Sequence, residues 1–182
     1  MATFTKGYVS VASQPVGAGA ENLIGTNTGN CDIGGSFDVI ELDPGFGNSD
    51  FPTGATFTSI QVALTAQTLT SATSTLRVTP RLGSISNDSD DLDINAPGSY
   101  LTDINKGLFG LSPTVNSIQF LTIRFTLITS NSTTTRITKS VENISASGGT
   151  PNIVISYTLP FSNKVYNTGG KLSITSGKVS IT

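Results

Sequence analysis

The run Asn87-Asp88-Ser89-Asp90-Asp91-Leu92-Asp93 is the densest set of chemically active side chains in the chain. Closely spaced carboxylates beside an amide offer oxygen ligands of the kind calcium takes. The run lacks the glycine and the terminal glutamate of an EF-hand loop, so it reads as a solvated loop after a strand ending at Leu82. Paired carboxylates also hydrolyse glycosides. Here the aspartates are adjacent, with no aromatic platform nearby. Cys31 is the single thiol, flanked by Asn30 and Asp32, and neither neighbour supplies a base to activate it. It reads as a small buried hydrophobe.

The chain contains no His and no Trp. That removes Ser-His-Asp and Cys-His machinery and every imidazole metal ligand. One Cys cannot build a thiolate zinc cage. The sequence therefore assigns no catalytic residue, no cofactor and no metal ligand, and the expectation is a non-enzymatic protein.

Aromatic residues, at 7% of the chain, divide into two sets. Phe37, Phe57, Phe120 and Phe125 fall in strand patterns and are expected in the core. Phe46, Phe51, Tyr100, Phe109, Phe161 and Tyr166 fall in loops. Phe46 and Phe51, around Pro44-Gly45 and Pro52, are either an apolar contact patch or a loop tucked onto the end of the fold. Arg77, Arg81, Arg124 and Arg136 lie on polar strand faces, solvated or free to pair with another subunit.

The elements that must carry these groups are strands. Charged residues are only 12% of 182, about half the usual share. Ser and Thr cover the surface instead, as on the outward positions of sheets. The net charge of −2, with no basic cluster, argues against nucleic acid. Low net charge also favours self-association. Met1–Lys6 is not followed by an apolar run and does not read as a secretory signal, and no stretch has the apolar length of a membrane span. The expected place of synthesis is a cytoplasm, and no membrane partner is expected. Sequons at Asn87, Asn131 and Asn143 are what a chain rich in Ser, Thr and Asn holds by chance.

Thr56–Gln67 alternates with Ile60, Val62, Leu64 and Ala66 on one face, and Ser74–Leu82 repeats the pattern. The short link between them suits an antiparallel pair. Pro80 cannot donate to a ladder, which places it at an edge or a bulge. Asn116–Thr129 is the longest apolar stretch, with Leu121, Ile123, Phe125 and Leu127 facing in. Ile118 and Phe120 break its parity and point to a bulge near Gln119. Asn152–Leu159 is a further strand. Ser132–Asn143 is a weak one, expected at an edge. Phe4–Ala12 and Ser36–Leu42 are expected strands, with Gln14–Gly35 as loop between them. Tyr100–Leu111 is the one segment with a helical spacing, weakened by Gly107 and Gly110. Eight to ten strands with frequent turn signals give an all-β, antiparallel, jelly-roll-like β-sandwich over residues 1–160.

Residues 161–182 form a linker and a β-hairpin. Lys171-Leu-Ser-Ile-Thr175 and Lys178-Val-Ser-Ile-Thr182 differ at one position and are joined by Ser176-Gly177. An isolated hairpin is marginal in water, so Leu172, Ile174, Val179 and Ile181 must find a surface, on the parent sandwich or on a neighbouring subunit.

The stretch from Phe51 through Ala66, then Ser74-Thr-Leu-Arg-Val-Thr-Pro-Arg-Leu-Gly83, closing on Ile153-Val-Ile-Ser-Tyr157, resembles β-sandwich modules of tailed-bacteriophage virion proteins. The resemblance implies a virion structural protein, foremost a capsid decoration (cement) protein. Its expected partners are other copies of itself, as a homo-oligomer, and a major capsid protein. The expected location is the virion, assembled in the host cytoplasm. Alternatives are a tail, fibre or host-binding adhesin component, or a carbohydrate-binding β-sandwich module.

Overall fold

The computed structural model describes residues 1–35, 37–70, 73–86, 89–103, 113–128, 133–139, 151–159, 172–175 and 178–181, the last two segments as backbone only. The alternating segments pack as two antiparallel sheets face to face. The first sheet contains β1 (Ala2–Gly7), β3 (Gly29–Ile33), β5 (Thr56–Thr68), β9 (Gly98–Asp103), β11 (Thr135–Lys139) and β12 (Asn152–Thr158). The second contains β2 (Ser10–Ser13), β4 (Val39–Asp43), β6 (Ser74–Leu82), β7 (Ile85–Ser86), β8 (Asp90–Ile94) and β10 (Leu121–Leu127).

In the first sheet, β9 runs along one side of β5 while β12 and β11 share the other side, end to end. β1 and β3 line the far side of β12 and β11 in the same way. Ile60, Val62 and Leu64 of β5 meet Ile153 and Ile155 of β12 beneath the second sheet's Ile40, Leu42, Leu76, Val78, Ile123 and Phe125, and all of these are fully buried. Period two with an apolar inner face drives this packing, each large aliphatic side chain contributing about 1.5–3 kcal/mol on burial. One buried polar bridge spans the two sheets: the Thr135 hydroxyl donates to Ser74 Oγ at 2.6 Å.

Several expectations are corrected. β5 and β6 do not pair; the link between them crosses from one sheet to the other, because each strand buries its apolar face against the opposite layer. Phe4–Ala12 is split between β1 and β2, which belong to different sheets, and Gln14–Gly35 holds a 3₁₀ turn at Ala20–Leu23 and strand β3. β11 is an interior strand, between β5 and β3, because Thr135, Ile137 and Lys139 point inward. Tyr100–Asp103 belongs to β9, so the helical spacing there is not used; residues 104–111 lie outside the described set. The parity break before β10 is a 3₁₀ turn, Ile118–Phe120, which buries Ile118 and leaves Phe120 59% exposed. Phe37 is also outside the core, at 70% exposure, whereas Phe57 and Phe125 are buried.

Pro80 pairs with Ile123 of β10 on one side. Its other side falls in the gap between β7 and β8, where no donor is needed. The C-terminal hairpin pairs β13 (Leu172–Thr175) with β14 (Lys178–Ile181), setting Leu172 opposite Ile181 and Ile174 opposite Val179. It is a two-stranded sheet of its own and joins neither layer.

Candidate functional site

The acidic run is not a loop throughout. Asp90–Ile94 is β8, and its alternation turns Asp91 and Asp93 outward beside β6. Arg77 donates to both oxygens of Asp91 at 2.7 and 2.8 Å, and Thr75 donates to Asp93 at 2.9 Å. The Arg77 hydrogen bonds hold the Asp91 carboxyl below its ordinary value. Among the described residues, no group of three or more His, Cys, Asp or Glu side chains is placed to hold a metal ion. Cys31 is fully buried, and burial, with Asp32 and Glu21 nearby, pushes its thiol up to about 12.

The arginines pair within the chain. Arg136 grips Asp32 across β11 and β3 with two hydrogen bonds of 2.7 Å. Arg81 and Arg124 both close on Glu41, which also accepts a 2.6 Å hydrogen bond from Thr122. Glu41 sits on the outer side of β4, yet it is only 5% exposed because the two guanidinium groups lie over it. Burial raises its pKa, but the hydrogen bonds from Thr122, Arg124 and Arg81 outweigh that and hold the carboxyl below its ordinary value. No motif marks this residue; only the register of β10 against β4 on one side and β6 on the other brings its partners together.

Phe46 and Phe51 are not a surface patch. They are 4% and 3% exposed and belong to an aromatic cluster with Phe4, Phe57 and Tyr157, whose ring centroids lie 4.9–6.2 Å apart. This cluster pins the long β4–β5 loop onto one end of the sandwich. Lys6 ties the loop down from β1, donating to the Gly45 carbonyl and to Asp50 at 2.7 Å each. Gly45 has a φ of +60°, and a Cβ there would strike Val9, so the turn requires glycine.

With its aromatic teeth sunk in the core, the loop turns its polar side outward and forms one wall of a cleft of about 640 Å³. Asn48, Thr53, Gly54, Ala55, Thr56 and Phe57 line that wall. Pro113, Thr114, Val115 and Asn116 line the other. The second wall is set by a hydroxyl-locked turn. Thr114 N–H donates to Ser117 Oγ at 2.8 Å and Ser117 N–H donates to Thr114 Oγ1 at 3.2 Å. Buried Ile118 and the partly buried Val115 anchor the turn to the core. The described lining is hydroxyl, amide and apolar, with no charged side chain. Sequence reading did not find this cleft, because its polar residues come from two loops with no motif spacing.

Leu172, Ile174, Val179 and Ile181 stand opposite one another in pairs along the hairpin backbone. Among the described residues, no helix is long and apolar enough to cross a membrane.

No protein-family model and no curated protein matches this chain. Six chains of solved structures match in shape, among them two that contain a CBM32 domain. One is a truncated AlyQ with CBM32 and alginate lyase domains: 18% identity, TM-score 0.43, covering 87% of this chain and 34% of that one. The chain thus spans about a third of that protein. The other is the CBM32 of AlyQ in complex with 4,5-unsaturated mannuronic acid: 19% identity, TM-score 0.38, covering 76% of this chain and 99% of that one.

Proposed function

We propose that this β-sandwich is a non-catalytic binding module that takes a carbohydrate in the end cleft. The observation that carries this reading is the cleft itself. It falls in the size range of small-molecule sites. Its described walls offer the amides of Asn48 and Asn116 and the hydroxyls of Thr53 and Thr56 above the apolar surface of Ala55, Phe57, Pro113 and Val115. A sugar presents the same two faces, hydroxyls around its rim and C–H groups across its plane. Fixed walls supply these groups at small ordering cost.

The test is a saturation-transfer NMR screen of soluble oligosaccharides against the whole chain and against an Asn48→Ala/Asn116→Ala variant. At least one sugar should give transfer that the variant loses while keeping its melting temperature. No transfer from any sugar, or transfer indifferent to the variant, removes the reading.

The hairpin favours a second reading. A two-stranded sheet that joins neither layer supports a role in assembly, as in a capsid decoration protein held on a virion by contacts with copies of itself and a major capsid protein. In that case deletion of residues 171–182 leaves the sandwich's melting temperature unchanged and abolishes oligomers or particle occupancy. A truncated protein that unfolds, or that still assembles, removes it.

A further inference from the structure

We propose that two copies of this chain join through their C-terminal hairpins, β14 pairing antiparallel with β14 of the second copy about a two-fold axis at Ser180. The proposal rests on the reading of the hairpin as an assembly element and asks nothing of the cleft. It starts from a symmetry in the sequence. β13 and β14 lie in near-identical pentapeptides, Lys171-Leu-Ser-Ile-Thr175 and Lys178-Val-Ser-Ile-Thr182. The register sets Ser173 opposite Ser180, Leu172 opposite Ile181 and Ile174 opposite Val179. The middle residue of one pentapeptide thus faces the middle residue of the other, and the second faces the fourth. A sequence that pairs with its own repeat in this way is complementary to itself. With another β14, β14 can therefore make the pairing it already makes with β13: serine opposite serine, and Val179 opposite the partner's Ile181.

The hydrogen-bond phase leaves the backbone groups for this free. The register leaves two residues between Thr175 and Lys178, and a two-residue turn closes on a hydrogen-bonded pair. Alternation then makes Ser173 and Ser180 the next hydrogen-bonded pair. Val179 and Ile181 fall in the other class, so their N–H and C=O groups lie along the free edge of β14. In the two-fold pairing these are the groups that exchange hydrogen bonds between copies.

Among the described strands, the hairpin pairs with neither layer of the sandwich. Two strands alone are marginal in water, whereas three or more with an apolar face are independently stable. Joining two hairpins by their edges gives one sheet of both, with Leu172, Ile174, Val179 and Ile181 of each copy on one face. Lys178 lies two residues from the axis, so the lysines of the two copies fall on opposite sides of it and like charges do not stand face to face. The free edge of β13 carries the same code. β14, however, has Val179 where β13 has Leu172, so both of its edge-bonding residues are β-branched, the better strand formers. An isologous contact of this kind closes on itself as a dimer.

The test is disulfide cross-linking of the full chain. In this pairing Ser180 forms a non-hydrogen-bonded pair with its own counterpart, with Cα atoms about 4.5 Å apart, inside the roughly 4.4–6.8 Å that a disulfide spans. The two Ser173 residues stand three strand spacings apart, about 14 Å, beyond the reach of a disulfide. Cys31 is fully buried and does not compete. In a glutathione redox buffer, Ser180→Cys should collect as a covalent dimer on non-reducing electrophoresis, and Ser173→Cys should not. Wild type should sediment as a concentration-dependent dimer, and deletion of residues 171–182 should leave a folded monomer. Equal cross-linking of the two cysteine variants, cross-linking of Ser173→Cys alone, or of neither, overturns the pairing. If deletion still abolishes oligomers in that event, the assembly reading outlives this pairing. Oligomers that survive the deletion, or a truncated chain that unfolds, remove both.

Discussion

Replacing Glu41 by Gln keeps the shape of the side chain and removes the charge on which Arg81 and Arg124 converge. The two guanidinium groups, 2.9 Å from the carboxylate in the native protein, would then face each other without a counter-ion. Breaking a buried ion pair by removing one partner costs about 3–5 kcal/mol. The Arg81 and Arg124 side chains are 22% and 36% exposed, so water recovers part of that. The expected loss for Glu41→Gln is about 2–3 kcal/mol, or roughly 5–10 °C in Tm for a domain of this size. Urea unfolding at neutral pH reads it directly, as a fall in midpoint with an unchanged m-value. The pH dependence adds a second readout. Because the folded pKa of Glu41 lies below 4.5, its stabilisation is complete above that value and is lost as pH falls through the folded pKa. Glu41→Gln should therefore be less pH-dependent than wild type between pH 4.5 and acid unfolding; Asp50 and Asp91, also depressed, contribute equally to both proteins. Replacing the set together, as Glu41→Leu, Arg81→Met and Arg124→Met, should return stability to within about 1 kcal/mol of wild type. A Glu41→Gln protein within about 0.5 kcal/mol of wild type, with the same acid slope, would refute the reasoning.

Lys139→Met strips the ammonium that reaches the Leu23 and Gly25 carbonyls at 3.3 and 2.5 Å, and should cost about 1–2 kcal/mol at neutral pH by thermal melting. Burial lowers the Lys139 pKa, so wild-type stability should gain from rising pH between the folded pKa and 10.5, and the variant should lose that gain. Phe51→Ala should cost about 3–5 kcal/mol in urea unfolding, since Phe51 contacts four other rings of the cluster behind the cleft. Cys31 should resist a thiol reagent in the native state and react on unfolding; rapid native labelling would contradict its full burial.

The inward faces of β5, β6, β10 and β12 were legible because alternation at period two is a local property of the chain. So was the hairpin, from its repeated pentapeptide and Ser-Gly turn. Partner choice was not legible. The β5–β6 link is as short as a hairpin connection, and only the need to bury both strands against opposite layers sends it across the sandwich. Phe37 and Phe120 lie in segments that read as strands in sequence, yet Phe37 falls two residues before β4 and Phe120 immediately before β10, each in a turn that leaves it exposed. Glu41 had no reading in sequence; it lies on the outer side of β4, and its burial comes from arginines on β6 and β10, far away in the chain. The cleft was invisible for the same reason, since its two walls lie more than fifty residues apart. Phe46 and Phe51 carried both readings in sequence, and the rings of Phe4, Phe57 and Tyr157 decide for the core.

The end-to-end arrangement of β11 and β12 has a consequence for how the chain tolerates change. Thr138 stands opposite Thr65 and Asn152 opposite Ala63, so Lys139 takes the ladder position at Leu64 and Asn152 the next one. Along β5, then, residues 139 and 152 are successive rungs, and everything between them is spliced into what is otherwise one uninterrupted strand. The neighbouring track agrees: Gly29 stands opposite Lys139 and Gly7 opposite Asn152. A splice of this kind is free of the parity rule that makes a one-residue slip turn a strand inside out. Odd or even in length, cargo placed between 139 and 152 leaves every inward side chain of the sheet where it is. That makes this junction the natural port for displaying a foreign peptide.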